Sequence, residues 1–214
     1  MLLNLKDKRE DYTLGQLNKD AVERNPLKQF KVWMDQALDA ELPEPNAMTL
    51  ATCTTTGHPS ARILLLKEVD ERGFVFFTNY RSRKGQELAA NPYAAICFLW
   101  IELQRQVRIE GRVEKITEEA STEYFQSRPK GSQIGAWASP QSEVIPHREV
   151  LETAVQNLEK QYAEAAVLPR PEHWGGYRLV PDLLEFWQGR SSRLHDRIQY
   201  LREGDDWRID CLAP

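Results

Sequence analysis

The chain has 214 residues, a formal net charge of −4, 41% hydrophobic residues and 28% charged residues. This balance is typical of a globular protein with a sizeable core and excludes a disordered chain. The acidic net charge disfavours a general nucleic-acid binder, which is usually basic. No apolar stretch reaches transmembrane length or has the form of a signal peptide, so we expect a cytoplasmic protein that does not enter a membrane.

The N-terminal segment 1–24 is polar and lacks a clear apolar period, which predicts a mobile arm with a short helix near 14–22. Asn25 and Pro26 then have the form of a helix N-cap followed by proline at the first helical position. Apolar residues at helical spacing predict an amphipathic helix over 26–40. We expect the rest of the chain, 25–214, to form a single domain.

The remainder alternates short strand-like runs with helical segments, and the order is not that of βαβ units. Turns are predicted between the strands, including one at Pro181-Asp182. Repeated antiparallel strands with inserted helices predict a mainly β, α+β fold, with a barrel-like antiparallel sheet and flanking helices. The predicted strands are 47–55, 60–69, 74–78, 93–101, 105–116, 175–180, 183–188, 197–202 and 206–210; the predicted helices are 82–90, 117–127 and 147–165, with a loop between the last two.

Cationic side chains gather at three places in this acidic chain, although it has neither a P-loop nor a Rossmann glycine motif. One interpretation is that they hold small phosphorylated ligands, because guanidinium and ammonium groups bind phosphate oxygens. The other is solvated surface charge paired with nearby carboxylates, which is favoured for any one residue alone. The groups are Arg62 with Lys67; Arg81, Arg83 and Lys84; and Arg190, Arg193 and Arg197 with His195.

The opposite strand parity of Arg62 and Lys67 predicts opposite faces unless a bulge intervenes.

The four histidines have no metal-ligand spacing, and the three cysteines are widely separated, so we predict neither a metal site nor a disulfide framework. His195 stands between Arg193 and Arg197, and in a strand the three would share one face. Two fixed cations would favour the neutral imidazole, which accepts a proton or a hydrogen bond. No hydrolase motif is present. Trp187 would pack either in the core, which residue type favours, or against a flat heterocycle.

Several motifs resemble those of the pyridoxamine 5'-phosphate oxidase family, and they follow one another along nearly the whole chain. The C-terminal motif is FWQGRSSRLHDR at 186–197. The other matches are RxxY at 9–12, RILLLK at 62–67, FFTNYxSRKGxELxxNP from 76, RQVRxEGxVE at 105–114, YFxSRPxxSxIGAWAS from 124, QS at 141–142 and WxIDxLAP at the end.

The resemblance implies an FMN-binding split barrel that works as a homodimer, with FMN at the interface and residues of both subunits around it. The implied FMN residues are Arg62, Ile63, Leu64, Leu65, Lys67, Phe77, Thr78, Arg83, Lys84, Gln106, Gln141, Ser142, Trp187 and Arg197. The implied substrate residues are Arg9, Tyr12, Lys67, Tyr124, Arg128, Ser132, Arg193, Leu194 and His195. Of these, Arg193 and His195 would be catalytic, and Arg9 and Tyr12 would close over the substrate as a lid.

The implied activity is oxidation of pyridoxamine or pyridoxine 5'-phosphate to pyridoxal 5'-phosphate, by hydride transfer from C4' to N5 of FMN, with O2 reduced to H2O2. For His195 we favour positioning of the substrate over proton removal. Alternatives are another split-barrel flavoprotein, a non-enzymatic FMN or pyridoxal phosphate store, and a structural protein. Cys211 and Asn18 depart from a basic pattern in the family, which puts in doubt a secondary regulatory pyridoxal phosphate site.

Overall fold

A computed structural model describes residues 10–214, so Arg9 lies outside the described residues. In this range the strands are β1 (Ala47–Cys53), β2 (Pro59–Leu65), β3 (Glu68–Val69), β4 (Phe74–Asn79), β5 (Tyr93–Trp100), β6 (Arg105–Lys115), β7 (Trp174–Gln188), β8 (Asp196–Glu203) and β9 (Asp206–Cys211). The helices are α1 (Pro26–Asp39), α2 (Arg83–Ala90), α3 (Glu118–Ser127), α4 (Lys130–Ala138) and α5 (Glu149–Gln161). None of the helices in this range is long and apolar enough to span a membrane.

The strands form one sheet in the order β2-β1-β5-β6-β7-β4-β3, with β8 beside β7 and β9 beside β8. The pairs β3–β4, β4–β7, β7–β8 and β8–β9 are antiparallel. Along β6, Val107, Ile109 and Val113 are buried while Arg108 and Arg112 are exposed, as the alternation predicts. The predicted α+β fold with a largely antiparallel sheet and flanking helices is confirmed.

Strand β7 is continuous, so the predicted turn at Pro181-Asp182 is wrong. Its first part, Trp174–Leu179, pairs with β4, and its last part, Leu183–Gln188, pairs with β8. Pro181 lies between the two ladders, where its missing N–H removes no bond to either β4 or β8. A proline at a change of partner strand therefore does not end the strand.

Helix α4 occupies the segment predicted as a loop between α3 and α5. Gly131, Ser132 and Gly135 give the segment a loop-like composition. Ile134 is buried with Phe125, Leu168 and Trp174 in one hydrophobic cluster. Burial of one face outweighs the weak helix propensity of this short segment.

Two compact units share the chain. Of the residues that the structure describes, the first unit contains 10–49, Ala95–Glu110 and Pro181–Pro214, and the second contains Leu50–Ala94 and Gly111–Val180. Each boundary falls inside a strand, namely β1, β5, β6 or β7. The single domain expected over 25–214 stays a prediction.

A polar cap and aromatic packing fix helix α1. The side chain of Asn25 accepts the N–H of Leu27 and caps α1, as predicted. In the first unit, Phe30 lies 5.1 Å from Phe98 and Trp33 lies 5.2 Å from Phe186, measured between ring centroids. These contacts bury the apolar face of α1.

Segment 10–24 contains a 3-10 turn at Lys19–Ala21 in place of the predicted short helix over 14–22. Before that turn the backbone is held by side chains of the same unit. The N–H of Leu14 donates to Gln104 Oε1 at 3.1 Å, and the N–H of Leu17 donates to Asp196 Oδ2 at 2.9 Å.

Candidate active site

A buried ammonium lies at the start of α2 in the second unit. Lys84 is 7% exposed, and its Nζ donates to Thr78 Oγ1 at 3.1 Å, Ser82 Oγ at 3.3 Å and Gln141 Oε1 at 2.8 Å. Every one of these acceptors is neutral. Burial, assisted by the charge of Arg62, lowers the pKa of Lys84 to about 8. The ammonium is therefore desolvated, and no carboxylate among residues 10–214 pairs with it, which suits it to an anionic ligand.

The first turn of α2, which carries Lys84, lies very close to the backbone of the turn that precedes it. A Cβ on Gly85 would lie 2.2 Å from the carbonyl oxygen of Tyr80, so no larger residue fits there without movement. Ser82 caps the helix through Oγ, which accepts the N–H of Gly85. The same hydroxyl accepts a hydrogen bond from Lys84.

A buried carboxylate, Glu87, organises the arginines beside Lys84. Its Oε2 accepts from Thr52 Oγ1 at 2.5 Å and from Ser60 Oγ at 2.6 Å, and its Oε1 accepts from Arg83 Nε at 2.9 Å. Burial alone would raise the pKa of Glu87, but these hydrogen bonds together lower it to about 2. Arg62 Nη2 also reaches Glu87 Oε2, at 3.5 Å. The carboxylate thus fixes two of the predicted FMN residues.

A cavity of about 270 Å³ in the second unit is lined by another cation, Arg128. Within the described residues, the buried Nη1 of Arg128 has no hydrogen-bond partner. The guanidinium lies 4.6 Å from the centroid of the Trp174 ring, and burial lowers the pKa of Arg128. Gln141, which accepts from Lys84, lines this cavity too. The lining residues are Asn79, Arg128, Ser132, Gly135, Ala136, Ser139, Gln141 and Trp174.

Stacked aromatic rings adjoin Arg128. The rings of Phe77 and Tyr124 are 3.9 Å apart and nearly parallel, and Phe77 also stacks on Trp174 at 5.5 Å.

Ser142 has a left-handed φ of 74°, which is uncommon for a residue other than glycine. Strained backbone of this kind concentrates at functional sites.

A second cavity, of about 540 Å³, lies in the first unit around His195. The imidazole lies 4.6 Å from the Trp187 ring and 5.9 Å from the Tyr12 ring, between centroids. Ser192 and Arg193 have consecutive left-handed φ values of 57° and 61°. The lining residues are Glu10, Asp11, Tyr12, Arg190, Ser192, Arg193 and His195.

Arg193, His195 and Arg197 do not lie in one strand, so the condition under which they would share a strand face is not met. Arg193 ends a 3-10 turn and His195 precedes β8, so only Arg197 lies in a strand. The tight turn forms because Leu194 N–H donates to the carbonyl of Ser191 at 3.1 Å. Alternation of faces does not apply to a turn.

Arg197 is held by a buried carboxylate on the neighbouring strand. Its Nε and Nη2 donate to the two oxygens of Glu185 at 2.9 and 3.0 Å. The side chain of Glu185 is only 4% exposed. Arg197 Nη1 also donates to the carbonyl of Ala213 at 2.8 Å. A bidentate pair of this kind fixes the plane of the guanidinium.

The predicted site residues divide between the two units. Lys67 lies beyond the end of β2, so the prediction that Arg62 and Lys67 point to opposite faces of one strand does not apply. The side chains of Lys67 and Ile63 are both exposed. The second unit contains Arg62, Ile63, Leu64, Leu65, Lys67, Phe77, Thr78, Arg83, Lys84, Tyr124, Arg128, Ser132, Gln141 and Ser142, and the first contains Tyr12, Gln106, Trp187, Arg193, Leu194, His195 and Arg197.

Sequence reasoning missed the residues that support these side chains. Glu87 was detectable, since it stands four residues after Arg83 in a predicted helix, the spacing of an ion pair. Glu185 and Trp174 gave no such signal, because their partners Arg197 and Arg128 are distant in the sequence. In residues 10–214 no group of histidine, cysteine, aspartate and glutamate has an arrangement that would hold a metal ion.

Two family profiles match this chain. The family profile described as pyridoxamine 5'-phosphate oxidase matches residues 34–162. The chain belongs to the pyridoxamine 5'-phosphate oxidase family. A second profile, described as the pyridoxine 5'-phosphate oxidase C-terminal dimerisation region, matches residues 174–214.

Curated relatives in this family are similar over the whole chain. The chain is 59% identical to a pyridoxine/pyridoxamine 5'-phosphate oxidase of Paraburkholderia phytofirmans, with 100% of both chains covered. It is 61% identical to the protein of the same name from Trichormus variabilis, with 97% of both covered.

Solved structures confirm the predicted split-barrel type of fold. PhzG from Burkholderia lata, in complex with tetrahydrophenazine-1-carboxylic acid, is 34% identical with a TM-score of 0.87, over 92% of this chain and 98% of that one. An FMN-binding, pyridoxamine 5'-phosphate oxidase-related protein from Nostoc punctiforme is 18% identical with a TM-score of 0.68, over 86% and 97%. The second likeness concerns the fold alone.

Proposed function

We propose that this chain is an FMN-dependent oxidase that converts pyridoxamine 5'-phosphate or pyridoxine 5'-phosphate to pyridoxal 5'-phosphate, with O2 reduced to H2O2. Its full-length relatives near 60% identity are named for the two substrates. The observation that carries the proposal is the buried Lys84 ammonium, whose hydrogen-bond acceptors are neutral. A desolvated cation without a counter-charge is stabilised by a phosphate.

The residues around Lys84 fit the phosphate of FMN. Arg62 and Arg83 bring two further guanidinium groups, and both donate hydrogen bonds to the buried carboxylate of Glu87, which fixes them. Gln141 and Thr78 offer polar groups beside the ammonium. We assign the phosphate end of FMN to this cluster.

Arg128 fits the phosphate of the substrate. Its buried Nη1 has no protein partner in residues 10–214, and Ser132 lines the same cavity. Tyr124, stacked on Phe77, borders the arginine from α3. Bidentate binding of phosphate by an arginine would satisfy the orphaned group.

The ring of the substrate belongs, in this proposal, with the cavity around His195. Arg193 supplies a fixed positive charge there, and Trp187 supplies a flat face. Tyr12 and Arg9 would cover the bound ring and exclude water. Arg197, oriented by Glu185, would contact the polar edge of the flavin together with Gln106.

The chemistry that FMN supplies when bound is acceptance of a hydride from the substrate and return of the electrons to O2. The protein contributes position and charge. Arg128 and Lys84 fix the two phosphates, so that the reacting atoms meet in a defined orientation. Arg193 stabilises negative charge near the reacting oxygen or nitrogen. We place FMN at the interface of a homodimer, with side chains of both subunits around it.

The test is a spectroscopic half-reaction. The protein is loaded with FMN, pyridoxamine 5'-phosphate is added without oxygen, and air is then admitted. We expect the visible flavin band to bleach as pyridoxal 5'-phosphate forms, and to recover in air as O2 is reduced to H2O2. Unphosphorylated pyridoxamine is the matched control and should bleach the band far more slowly. A flavin band that responds to neither phosphorylated vitamer would contradict the proposed substrate; failure to take up FMN would contradict the cofactor.

A further inference from the structure

The guanidinium of Arg128 is held by aromatic rings. Its Cζ lies 4.6 Å from the centroid of the Trp174 ring and 5.8 Å from that of the Phe125 ring. Among residues 10–214 it forms no ion pair with a carboxylate, and its buried Nη1 donates to no acceptor. The arginine is thus fixed through the face of its guanidinium, which leaves Nη1 at the edge for a ligand.

The arginines assigned to FMN are held by carboxylates instead. Glu87 accepts hydrogen bonds from Arg62 and Arg83, and Glu185 accepts two from Arg197. A carboxylate fixes a guanidinium well, but it occupies N–H groups and offsets the positive charge. An aromatic ring packs on the plane of the guanidinium and leaves both the charge and the edge available to an anion.

The ring of Trp174 has a fixed orientation of its own. It is nearly parallel to the rings of Phe77 and Tyr124, with interplanar angles of 14° and 8°. The residue is 7% exposed and begins β7, and its carbonyl accepts a hydrogen bond from Arg170 Nη1 at 2.6 Å. Trp174 is therefore a rigid support for the group that packs on it.

We propose that Trp174 is a positioning residue, which holds the guanidinium of Arg128 by its ring face so that the edge of the guanidinium binds a phosphate. Trp174 and Arg128 line the same 270 Å³ cavity, with the hydroxyl-bearing Ser132. This inference rests on the proposed function, in which the phosphate belongs to the substrate. It adds that the preference for a phosphorylated vitamer depends on an uncharged aromatic side chain.

The test in turnover compares FMN-loaded natural protein, Trp174→Phe and Trp174→Met. Phenylalanine keeps a ring face that attracts cations less strongly than tryptophan, and methionine fills irregular apolar space without a ring. For pyridoxamine 5'-phosphate we expect kcat/KM to fall by about 10- to 30-fold in the Met variant and by about two- to fivefold in the Phe variant, mostly through KM. The rate at which unphosphorylated pyridoxamine bleaches the flavin should change by less than about twofold.

A purely structural role of Trp174 gives a different result. Trp174 packs in one hydrophobic cluster with Phe125, Ile134 and Leu168, so loss of packing would lower the rates with both substrates by the same factor. Leu168→Ala removes buried volume from this cluster and is the matched control, which should leave the ratio of the two rates unchanged. Equal losses with both substrates in the Met variant, or a Phe variant as impaired as the Met variant, would overturn the proposal.

Circular dichroism and FMN content establish that each variant is folded and loaded before it is assayed. If the Met variant does not fold, the Phe variant decides: its loss must be confined to the phosphorylated substrate.

A double-mutant cycle tests whether Trp174 acts through Arg128. In a protein that already carries Arg128→Ala, Trp174→Met should not lower kcat/KM for pyridoxamine 5'-phosphate further. A further loss as large as in the natural background would mean that Trp174 acts independently of Arg128, which contradicts a positioning role.

Binding of inorganic phosphate separates this inference from the proposed activity. In the FMN-loaded protein the phosphate of FMN is assigned to the cluster at Lys84, so calorimetric titration with phosphate reports the site at Arg128. The dissociation constant should rise by about 10- to 30-fold in Trp174→Met. No binding to the natural protein, or equal affinity in the variant, would overturn the inference. If phosphate binds as expected but neither phosphorylated vitamer is oxidised, the proposed function alone is wrong.

Discussion

Lys84 and Glu87 are buried ionisable side chains on the same short helix, and their pKa values are lowered for different reasons. Lys84 loses solvation, which disfavours its charged form. Glu87 loses solvation too, but hydrogen bonds from Ser60, Thr52 and Arg83 more than offset that loss. We therefore expect the affinity for a ligand to change with pH as Lys84 loses its proton, and the free energy of unfolding to change with pH as Glu87 gains one.

FMN affinity should fall as the pH rises past about 8, where Lys84 loses its charge. The decrease should be at most about tenfold per pH unit, since one proton is involved. Replacing Lys84 with Gln should weaken FMN binding at pH 7 by about 10- to 100-fold and remove the decrease above pH 8. Fluorescence titration of FMN between pH 7 and 9.5 measures both effects.

The control for this titration is Lys31→Gln, which changes the same type of side chain at a position that is 75% exposed. It should leave FMN affinity unchanged at every pH. If affinity of the natural protein is constant from pH 7 to 9.5, Lys84 does not hold the phosphate.

Replacement of Glu87 by Gln should destabilise the protein by about 2–3 kcal/mol near neutral pH. The pKa of Glu87 is lowered to about 2 in the fold, so its contribution is present above the ordinary value of 4.5. That contribution is lost as the pH falls from about 4.5 to about 2. Urea unfolding of the two proteins at pH 7 and pH 3 should show a smaller difference at pH 3.

The exposed Glu159 of α5 provides the matched control. Glu159→Gln should change the free energy of unfolding by less than about 0.5 kcal/mol at both pH values. An equal loss for Glu87→Gln at pH 7 and pH 3 would mean that the charge of Glu87 does not stabilise the fold.

At the scale of elements, segment 10–17 packs against the residues at the end of β7, where the ring of Tyr12 lies close to the backbone of Gly189. A Cβ on Gly189 would lie 2.6 Å from Cδ2 of Tyr12. Asp11 Oδ1 also accepts the N–H of Ser192 at 3.3 Å. The segment thus contacts the turn that positions His195.

Gly189→Ala should displace Tyr12 and loosen this segment, because its methyl group overlaps the ring. Hydrogen exchange of the Leu14 and Leu17 amides, which donate to Gln104 and Asp196, should become faster. Mass spectrometry of the N-terminal peptides measures the change. Gly131→Ala is the control, since its Cβ would meet nothing within 4 Å. Unchanged exchange in Gly189→Ala would show that the contact with Tyr12 does not hold the segment.

At the scale of the whole molecule, large apolar side chains remain exposed on and beside β5. Leu99 is 63% exposed and Ile101 is 51% exposed, while Phe98 and Trp100 beside them are buried. Exposed apolar side chains near one another are typical of an interface. The dimerisation profile over residues 174–214 agrees with assembly of two chains.

Leu99→Asp should weaken a homodimer by about 100-fold or more, because twofold symmetry places the buried charge in the interface twice. Sedimentation should then show a shift from twice the chain mass toward the 24.8 kDa of one chain. Val144→Asp, at a fully exposed loop position, should leave the assembly unchanged. A Leu99→Asp protein that stays dimeric at micromolar concentration would place the interface elsewhere.

Local sequence patterns predicted most of the fold correctly. Helix α1 follows from the Asn25 cap and its apolar period, and β6 follows from strict alternation of buried and exposed residues. Helix α4 and the continuous β7 were predicted wrongly, because a buried cluster and a change of partner strand decide them. Such partners are distant in the chain and leave no local pattern.

By itself the sequence determined the class of fold, the family and the types of residue available for chemistry, since motifs and periodicity are local properties. Only the tertiary structure decided which of these residues are buried and which hydrogen-bond partners they have. It buried Lys84 among neutral acceptors, joined Glu87 to two arginines, left Nη1 of Arg128 without a partner and set the Arg190 amide against Nδ1 of His195. Burial and hydrogen bonding depend on neighbours that folding brings together, and these neighbours decide charge and orientation.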